Sequence, residues 1–411
     1  MKLRGAKEVG QFVAQVSIRR RGRCRLAVVS FALMLVGCGP EYNGLFDPLD
    51  DRLGKAEQQG SETLFDLSEF ADPNKLEIVI TGDGYTADEQ ELLRQQAKAL
   101  TDRLMIVDPF SRYGGLLRIR FVPLISARSG LAPEQNPLGC SAMTIRRAVC
   151  DERRVRHWRD GLGWDVGETI VLLNVADPLG GAHHKGRYIT AIGSAPGIAI
   201  HELAHAFGLA DEYIDVAVVA EHVQRGASVL KIADSKPNCS TDPTRWAIWQ
   251  KDGSLGEPEA GCYYTARAYS PSAHCKMRYT TEAAFCVVCR EFLVAELYRR
   301  VGGPLIKATP EPSPWRRTPI GVSPTTFRLD LRGPRYDVIS DDSRAAPLII
   351  EWKLDGRVIV AGSELSLSCD NARGASKLSV TVRDPSRWVR SAAANLALAS
   401  EQTWWLRSSC R

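Results

Sequence analysis

The 411 residues are enough for two domains, and 44% hydrophobic with 25% charged residues is ordinary for soluble globular material. That composition excludes collagenous, coiled-coil and wholly disordered chains. The formal charge of +5 invites a nucleic-acid reading, but residues 1–38 hold eight basic residues against the single acid Glu8, which leaves 45 basic and 47 acidic residues beyond them. The basic character belongs to the leader, so no nucleic-acid partner is expected.

In that leader a basic run ends at Arg25, and the apolar core LAVVSFALMLV follows from Leu26 to Val36. These eleven residues fall short of the ~20 that a spanning helix needs, so the segment reads as part of a signal peptide. The ending Leu35-Val36-Gly37-Cys38 resembles a bacterial lipobox, whose cysteine is lipidated and becomes the mature N-terminus. Residues 1–38 are therefore expected to be a lipoprotein signal peptide, with the chain held on a membrane of the bacterial cell envelope through Cys38. A secreted protein is the alternative. Nine cysteines follow Cys38, and in an oxidising compartment they are expected to form disulfides rather than hold metal. Spacing favours Cys140 with Cys150 and Cys369 with Cys410, and leaves the five between unassigned.

Beyond the leader, residues 39–65 read as a polar tether. KLEIVI, Lys75 to Ile80, predicts a strand, and the turn TGDGY leads into a helical pattern from Ala87 to Leu104. Strand signals follow at Arg118–Ile125 and Glu168–Val175. Ser194 and Pro196 mark the start of the next helix, because a hydroxyl can cap free backbone N–H groups and proline suits the first turn. Ile200, Leu203, Ala204 and Phe207 then form an i, i+3, i+4, i+7 stripe facing the core. A further helical pattern runs from Glu282 to Val301. Proline recurs through residues 303–324, which fits a linker. The β-rich segments TFRLDL, LIIEWKLDG, LSLSC and KLSVTVRD follow and predict a small all-β immunoglobulin-like sandwich over 325–411, with Trp352 and Trp388 in or near its core.

The chemistry concentrates in residues 201–213, HELAHAFGLADEY. His201 and His205, four apart on a helix, project together and can reach one Zn2+, while Glu202 can accept the proton of the water that the metal activates. Gly208 can take the left-handed conformation that ends a helix, turning the chain back toward the metal. Asp211, six residues after His205, stands at the spacing where metzincin proteases present their third histidine, and a carboxylate oxygen is an ordinary zinc ligand. Asp211 is placed ahead of Glu212, with Tyr213 third. Glu212 is expected to orient a ligand or to pair with a nearby base. Metzincins also carry a methionine in a tight turn under the metal. Met277, in CKMRY, is the methionine that follows the motif, and Tyr279 has the spacing of a tyrosine that can hydrogen-bond the developing oxyanion.

VITGDGYTADE (Val79 to Glu89), HELAHAFGLADEY, YSPSAHCKMRY (Tyr269 to Tyr279) and FCVVC (Phe285 to Cys289) occur in that order. Together they resemble the M64 metallopeptidases, the family named for its immunoglobulin A peptidase. The resemblance covers residues 75–300 and implies an α/β (α+β) metzincin-like catalytic domain, placed at 66–302, with zinc as cofactor and endopeptidase activity. It does not imply cleavage of immunoglobulin.

The expected function is hydrolysis of peptide bonds in an extracytoplasmic protein or peptide, with Glu202 and Tyr279 catalytic and His201, His205 and Asp211 on zinc. The alternatives are a non-hydrolysing zinc-binding lipoprotein and a zinc amidase. Three weaker features stay open. His183 and His184 read as a solvated Gly-rich loop, Asp83-Gly84-Tyr85 as a structural turn or a second ion site, and Cys286 with Cys289 as a structural disulfide.

Overall fold

The computed structural model describes residues 60–66 and 74–408, apart from 145, 184–185, 225, 283, 307–311, 315, 335–347 and 361. The signal-peptide and lipobox assignments, Cys38 included, lie outside the described residues. Among the described residues no helix is long and apolar enough to cross a membrane.

A six-stranded sheet organises residues 62–192. Its strands are β1 (Glu62–Asp66), β3 (Leu117–Phe121), β2 (Leu76–Asp83), β6 (Glu168–Leu173), β8 (Tyr188–Ile192) and β7 (Gly180–His183), in that spatial order, with β4 (Ser141–Ala142) and β5 (Ala148–Val149) forming a separate hairpin. β2, β3, β6 and β8 run parallel, and β1 and β7 close the two edges antiparallel. The sheet thus includes residues 62–65, which the sequence placed in the tether.

β2 and β6 are buried at every residue because both faces are covered, which explains the apolar runs 78–80 and 170–173. Side chains alternate between two cores. Ile78 and Ile80 face α1 (Gln90–Leu104) and the histidine helix, whereas Val79 faces the other layer with α2 (Glu152–Asp160). On α1, Leu93, Ala97, Leu100 and Leu104 make the buried stripe.

The histidine helix is α3 (Pro196–Phe207). Ile200, Leu203, Ala204 and Phe207 are buried as the periodicity predicts. Its N-cap is Ala195 rather than Ser194 and makes no side-chain cap bond, so Pro196 alone marks the start. Beyond it come α4 (Val216–Gln224), α5 (Val229–Ser235), the hairpin of β9 (Glu259–Cys262) with β10 (Thr265–Ser270), and α6 (Val287–Val301). α6 starts five residues later than the sequence pattern suggested, because Cys286 is extended and serves as its N-cap.

The C-terminal lobe has a five-stranded sheet in the order β11 (Thr318–Ile320), β17 (Ala399–Ser408), β16 (Lys377–Arg383), β13 (Ile349–Leu354), β14 (Arg357–Val360). A two-stranded sheet of β12 (Thr325–Arg328) and β15 (Glu364–Leu367) accompanies it. Trp352, Trp404 and Phe327 meet in its core, with the two indoles stacked at 5.7 Å. Trp388 is elsewhere. The β16–β17 connection carries it into the core of the preceding domain, beside Tyr113, and Asp384 accepts hydrogen bonds there from the Tyr113 and Tyr298 hydroxyls, each at 2.9 Å. A tryptophan cannot be assigned to one core or another from sequence when both lie within a loop's reach.

Cys140–Cys150 forms as spacing suggested, and Cys239–Cys262 joins two of the unassigned cysteines. Cys369 is disulfide-bonded, and Cys410 lies outside the described residues. The expected pairing of Cys286 with Cys289 does not form. Both are free and buried, as is Cys275.

Candidate functional site

α3 presents His201 and His205 on one face, and Gly208 ends the helix in the left-handed region at φ 118°, its N–H donating to Ala204 O and His205 O. This reversal brings Asp211 back under the imidazoles. His201 Nε2 and His205 Nε2 each lie 3.1 Å from Asp211 Oδ1 and 3.0 Å from one another. A tetrahedral zinc with ligand bonds near 2.0–2.1 Å sets its ligand atoms about 3.3 Å apart, so the spacing suits that ion.

The proton positions support the same use. His201 Nδ1 faces Lys276 O at 2.8 Å and His205 Nδ1 faces Leu209 O at 2.9 Å. Carbonyl oxygens only accept, so each neutral ring keeps its proton on Nδ1 and its lone pair on Nε2. Two lone pairs and a carboxylate oxygen then converge at about hydrogen-bond distance, an arrangement that attracts a cation. Burial lowers the His205 pKa, but Asp211, Glu202 and the Leu209 carbonyl together carry it to about 9, so without a metal the site holds a proton there that a bound cation would displace. Burial likewise opposes ionisation of Asp211, yet the two imidazoles hold its carboxyl well below the usual range.

Glu202, on the next position of α3, lines the same cavity of about 940 Å3 without joining the three-atom cluster. Burial pushes its carboxyl above the usual carboxylate range, against the pull of His205 and His201. Room for it depends on the edge strand, since a Cβ on Gly180 would stand 2.9 Å from Glu202 Oε1 and 2.8 Å from Ile198 Cγ2.

The structure separates the three candidates for third ligand. Asp211 points at the imidazoles. Glu212 points away and is fully buried, its Oε1 accepting from Asn238 Nδ2 at 2.9 Å and from the Cys289 thiol at 3.1 Å, and among the described residues no basic side chain makes a salt bridge to it. Tyr213 lines the cavity and packs edge-on against Tyr264.

Tyr264 is the residue that sequence reasoning missed. Its hydroxyl donates to Asp211 Oδ2 at 2.5 Å, leaving Oδ1 toward the histidines. Tyr263 and Tyr264 both have positive φ, 46° and 69°, a conformation that non-glycine residues rarely adopt. Backbone bonds hold it in place, with Tyr263 N donating to Asp211 O at 2.8 Å and Tyr264 N to Tyr213 O at 2.9 Å. The adjacent YY in CYYT was the available signal, but no spacing ties it to Asp211.

Met277 lies fully buried in a tight turn whose Arg278 and Tyr279 N–H groups donate to Cys275 O. The turn is fastened to the site by the His201 bond to Lys276 O and by Glu212 N donating to Met277 O at 2.9 Å. Tyr279 lines the cavity and is 53% exposed, free to meet a ligand rather than packed.

The remaining features resolve as structural. Asp83 is fully buried and accepts from Leu138 N and Cys140 N, each at 3.0 Å, and a Cβ on Gly84 would collide with Gly130 O at 2.5 Å. That turn therefore clamps the 130–140 loop. His183 belongs to β7 rather than a loop, stacks on Tyr188 at 4.5 Å and meets Ala148 O at 2.9 Å. His184 lies outside the described residues.

Residues 66–251 match the model of the family described as IgA Peptidase M64. The match takes in α3 and Asp211 and ends before the Met277 turn. No curated protein matches the chain.

Proposed function

We propose, for a chain whose residues 66–251 match the IgA Peptidase M64 family model, a zinc-dependent endopeptidase acting on an extracytoplasmic protein or peptide. The observation that carries the reading is the convergence of His201 Nε2, His205 Nε2 and Asp211 Oδ1, with both Nδ1 atoms engaged by backbone carbonyls. Two neutral imidazoles and a carboxylate are a common catalytic zinc donor set. Zinc, when bound, supplies a Lewis acid that polarises a carbonyl and acidifies water.

The chain's own groups do the rest. Glu202 accepts a proton from the attacking water and passes it to the amide nitrogen as the C–N bond breaks and the new C–O bond forms. Its partly buried setting favours a carboxyl that can both take and return a proton. Tyr264 orients Asp211, and Tyr279 at the cavity wall is assigned a hydrogen bond to the developing oxyanion. A cavity of about 940 Å3 is large enough for several residues of an extended peptide.

The proposed location is the bacterial cell envelope, with lipid attachment at Cys38. The leader pattern supports it, and the Cys140–Cys150 and Cys239–Cys262 bridges suit an oxidising compartment. The C-terminal lobe is read as immunoglobulin-like because its β17-β16-β13-β14 order follows a G-F-C-C′ sheet, with β11 added parallel to β17.

The test is turnover of a mixture of quenched fluorescent peptides by the purified chain. Cleavage that is lost on chelation, restored by zinc, and reduced on the order of 10²-fold or more in Glu202→Ala supports the peptidase. Cleavage indifferent to Glu202→Ala, or activity confined to small amides, rejects it.

A further inference from the structure

A second group of side chains able to hold a metal includes Glu212, the residue after Asp211. Cys275, Cys286, Cys289 and Glu212 are all buried, and one ligand atom from each comes within 4.8 Å of the others. The mechanism proposed above uses none of them. We propose that they form a separate structural zinc site of three cysteine sulfurs and one carboxylate.

The sulfur spacing separates this from a disulfide. Cys275 Sγ and Cys289 Sγ are 3.7 Å apart, far beyond the ~2.0 Å of an S–S bond. A tetrahedral zinc with Zn–S bonds near 2.3 Å sets two sulfurs about 3.8 Å apart. Three thiols can make at most one bond among themselves and would strand the third beside it, whereas one ion uses all three.

The carboxylate is the second, independent observation. Glu212 is fully buried, and its Oε2 has no hydrogen-bond partner. A buried carboxylate oxygen without a donor is costly unless a cation faces it. No lysine or arginine makes a salt bridge to Glu212 among the described residues. Its other oxygen accepts from Asn238 Nδ2 at 2.9 Å and from the Cys289 thiol at 3.1 Å, which places the carboxylate against the sulfurs.

The local backbone suits anionic sulfur. Cys286 is the N-cap of α6, where the free N–H groups and helix dipole favour anionic sulfur. Cys286 N donates to Cys275 Sγ at 3.4 Å, an N–H···S contact of the kind that supports metal-bound sulfur. Soft thiolates select zinc over magnesium or calcium.

Such a site would fasten three pieces that frame the first one. Glu212 follows Asp211 directly. Cys275 begins the turn that carries Lys276 O, the acceptor for His201, and Met277 O, the acceptor for Glu212 N. Cys286 and Cys289 anchor the start of α6. The second ion would thus hold the floor of the cavity at a fixed distance from the histidine helix.

The test is metal content by elemental analysis of the purified mature chain, without added metal. Wild type is expected to carry two zinc ions, and the His201→Ala/His205→Ala/Asp211→Ala variant one. Titration of that variant with an organomercurial should release its single zinc as three thiols react. Should the variant fail to fold, cobalt-substituted wild type decides, because thiolate ligands give a sulfur-to-cobalt charge-transfer absorption that two imidazoles and a carboxylate cannot. One zinc in wild type and none in the variant, a missing charge-transfer band, or a disulfide among Cys275, Cys286 and Cys289 found by non-reducing peptide mapping would each overturn the proposal. Because the variant lacks the first site, loss of the peptidase reading and loss of this one give different results.

Discussion

The Tyr264 hydroxyl donates to Asp211 Oδ2 at 2.5 Å from a position 53 residues further along the chain. One carboxylate oxygen is thereby committed to the tyrosine and the other is left for the histidines. Tyr264→Phe removes this donor while keeping the ring packing against Tyr213, so zinc affinity is expected to fall about tenfold, the lower end for losing a group that orients a ligand. Competition against a chromogenic chelator measures it, and affinity equal to wild type would show that Asp211 is positioned without Tyr264.

Asp211→Ala should do more than Tyr264→Phe, because it deletes the oxygen that meets both imidazoles. Zinc bound at this centre is expected to drop to a small fraction of the wild-type amount under the same chelator challenge. Retention of full affinity would return the third-ligand role to another side chain.

Gly180→Ala probes Glu202, the proposed proton carrier, without touching a metal-binding candidate. The added methyl has Glu202 Oε1 at 2.9 Å and Ile198 Cγ2 at 2.8 Å, both inside ordinary contact distance, so the carboxylate must shift. A small displacement of a catalytic group costs on the order of 10²-fold in rate. The expected result is a lowered kcat with zinc content unchanged, and a kcat within twofold of wild type would contradict it.

Gly208→Ala tests the turn that returns the chain to the site. At φ 118° a Cβ is strained whatever the space, and here it would also press on Phe292 Cζ at 3.3 Å. The loss of stability should exceed about 1 kcal/mol, read from the denaturant midpoint, with weaker zinc binding alongside. An unchanged midpoint would mean that the 208–211 turn relaxes freely.

Asp83 offers a dependence on pH away from His201, His205 and Asp211. Burial raises its pKa from 3.8 to about 6, against the two backbone N–H bonds it accepts. The folded state therefore binds the proton more tightly than the unfolded one. This contribution to stability is complete below about pH 4 and is lost as pH rises through about 6. Asp83→Asn should remove that slope from the difference between variant and wild-type unfolding free energies across the window. An identical pH profile for the two proteins would place the slope on other groups.

The histidine helix was legible in the chain because its signals are local. Histidines four apart, the apolar stripe from Ile200 to Phe207 and a glycine three residues past His205 all act within a few helical turns. The parallel core strands β2 and β6 were legible for a related reason, since strands covered on both faces carry near-continuous apolar runs, here Ile78–Ile80 and Ile170–Leu173. Short or mixed strands such as β7 and β8 were missed, because GGAH and YITAI take their strand state from neighbours rather than from period.

By itself the sequence determined that two imidazoles and a nearby acid would share a helix and its closing turn, and that Asp211 stood at a suitable spacing. Only the tertiary structure decided that Glu212 turns away from the imidazoles toward Asn238 and three cysteines, and that Tyr264 holds Asp211. It also decided that Trp388 leaves the β-lobe for the neighbouring core. The physical reason is range: helical spacing and turn chemistry act over a few residues, whereas the partners of a buried carboxylate, thiol or indole are set by which distant segments the packed core brings against it.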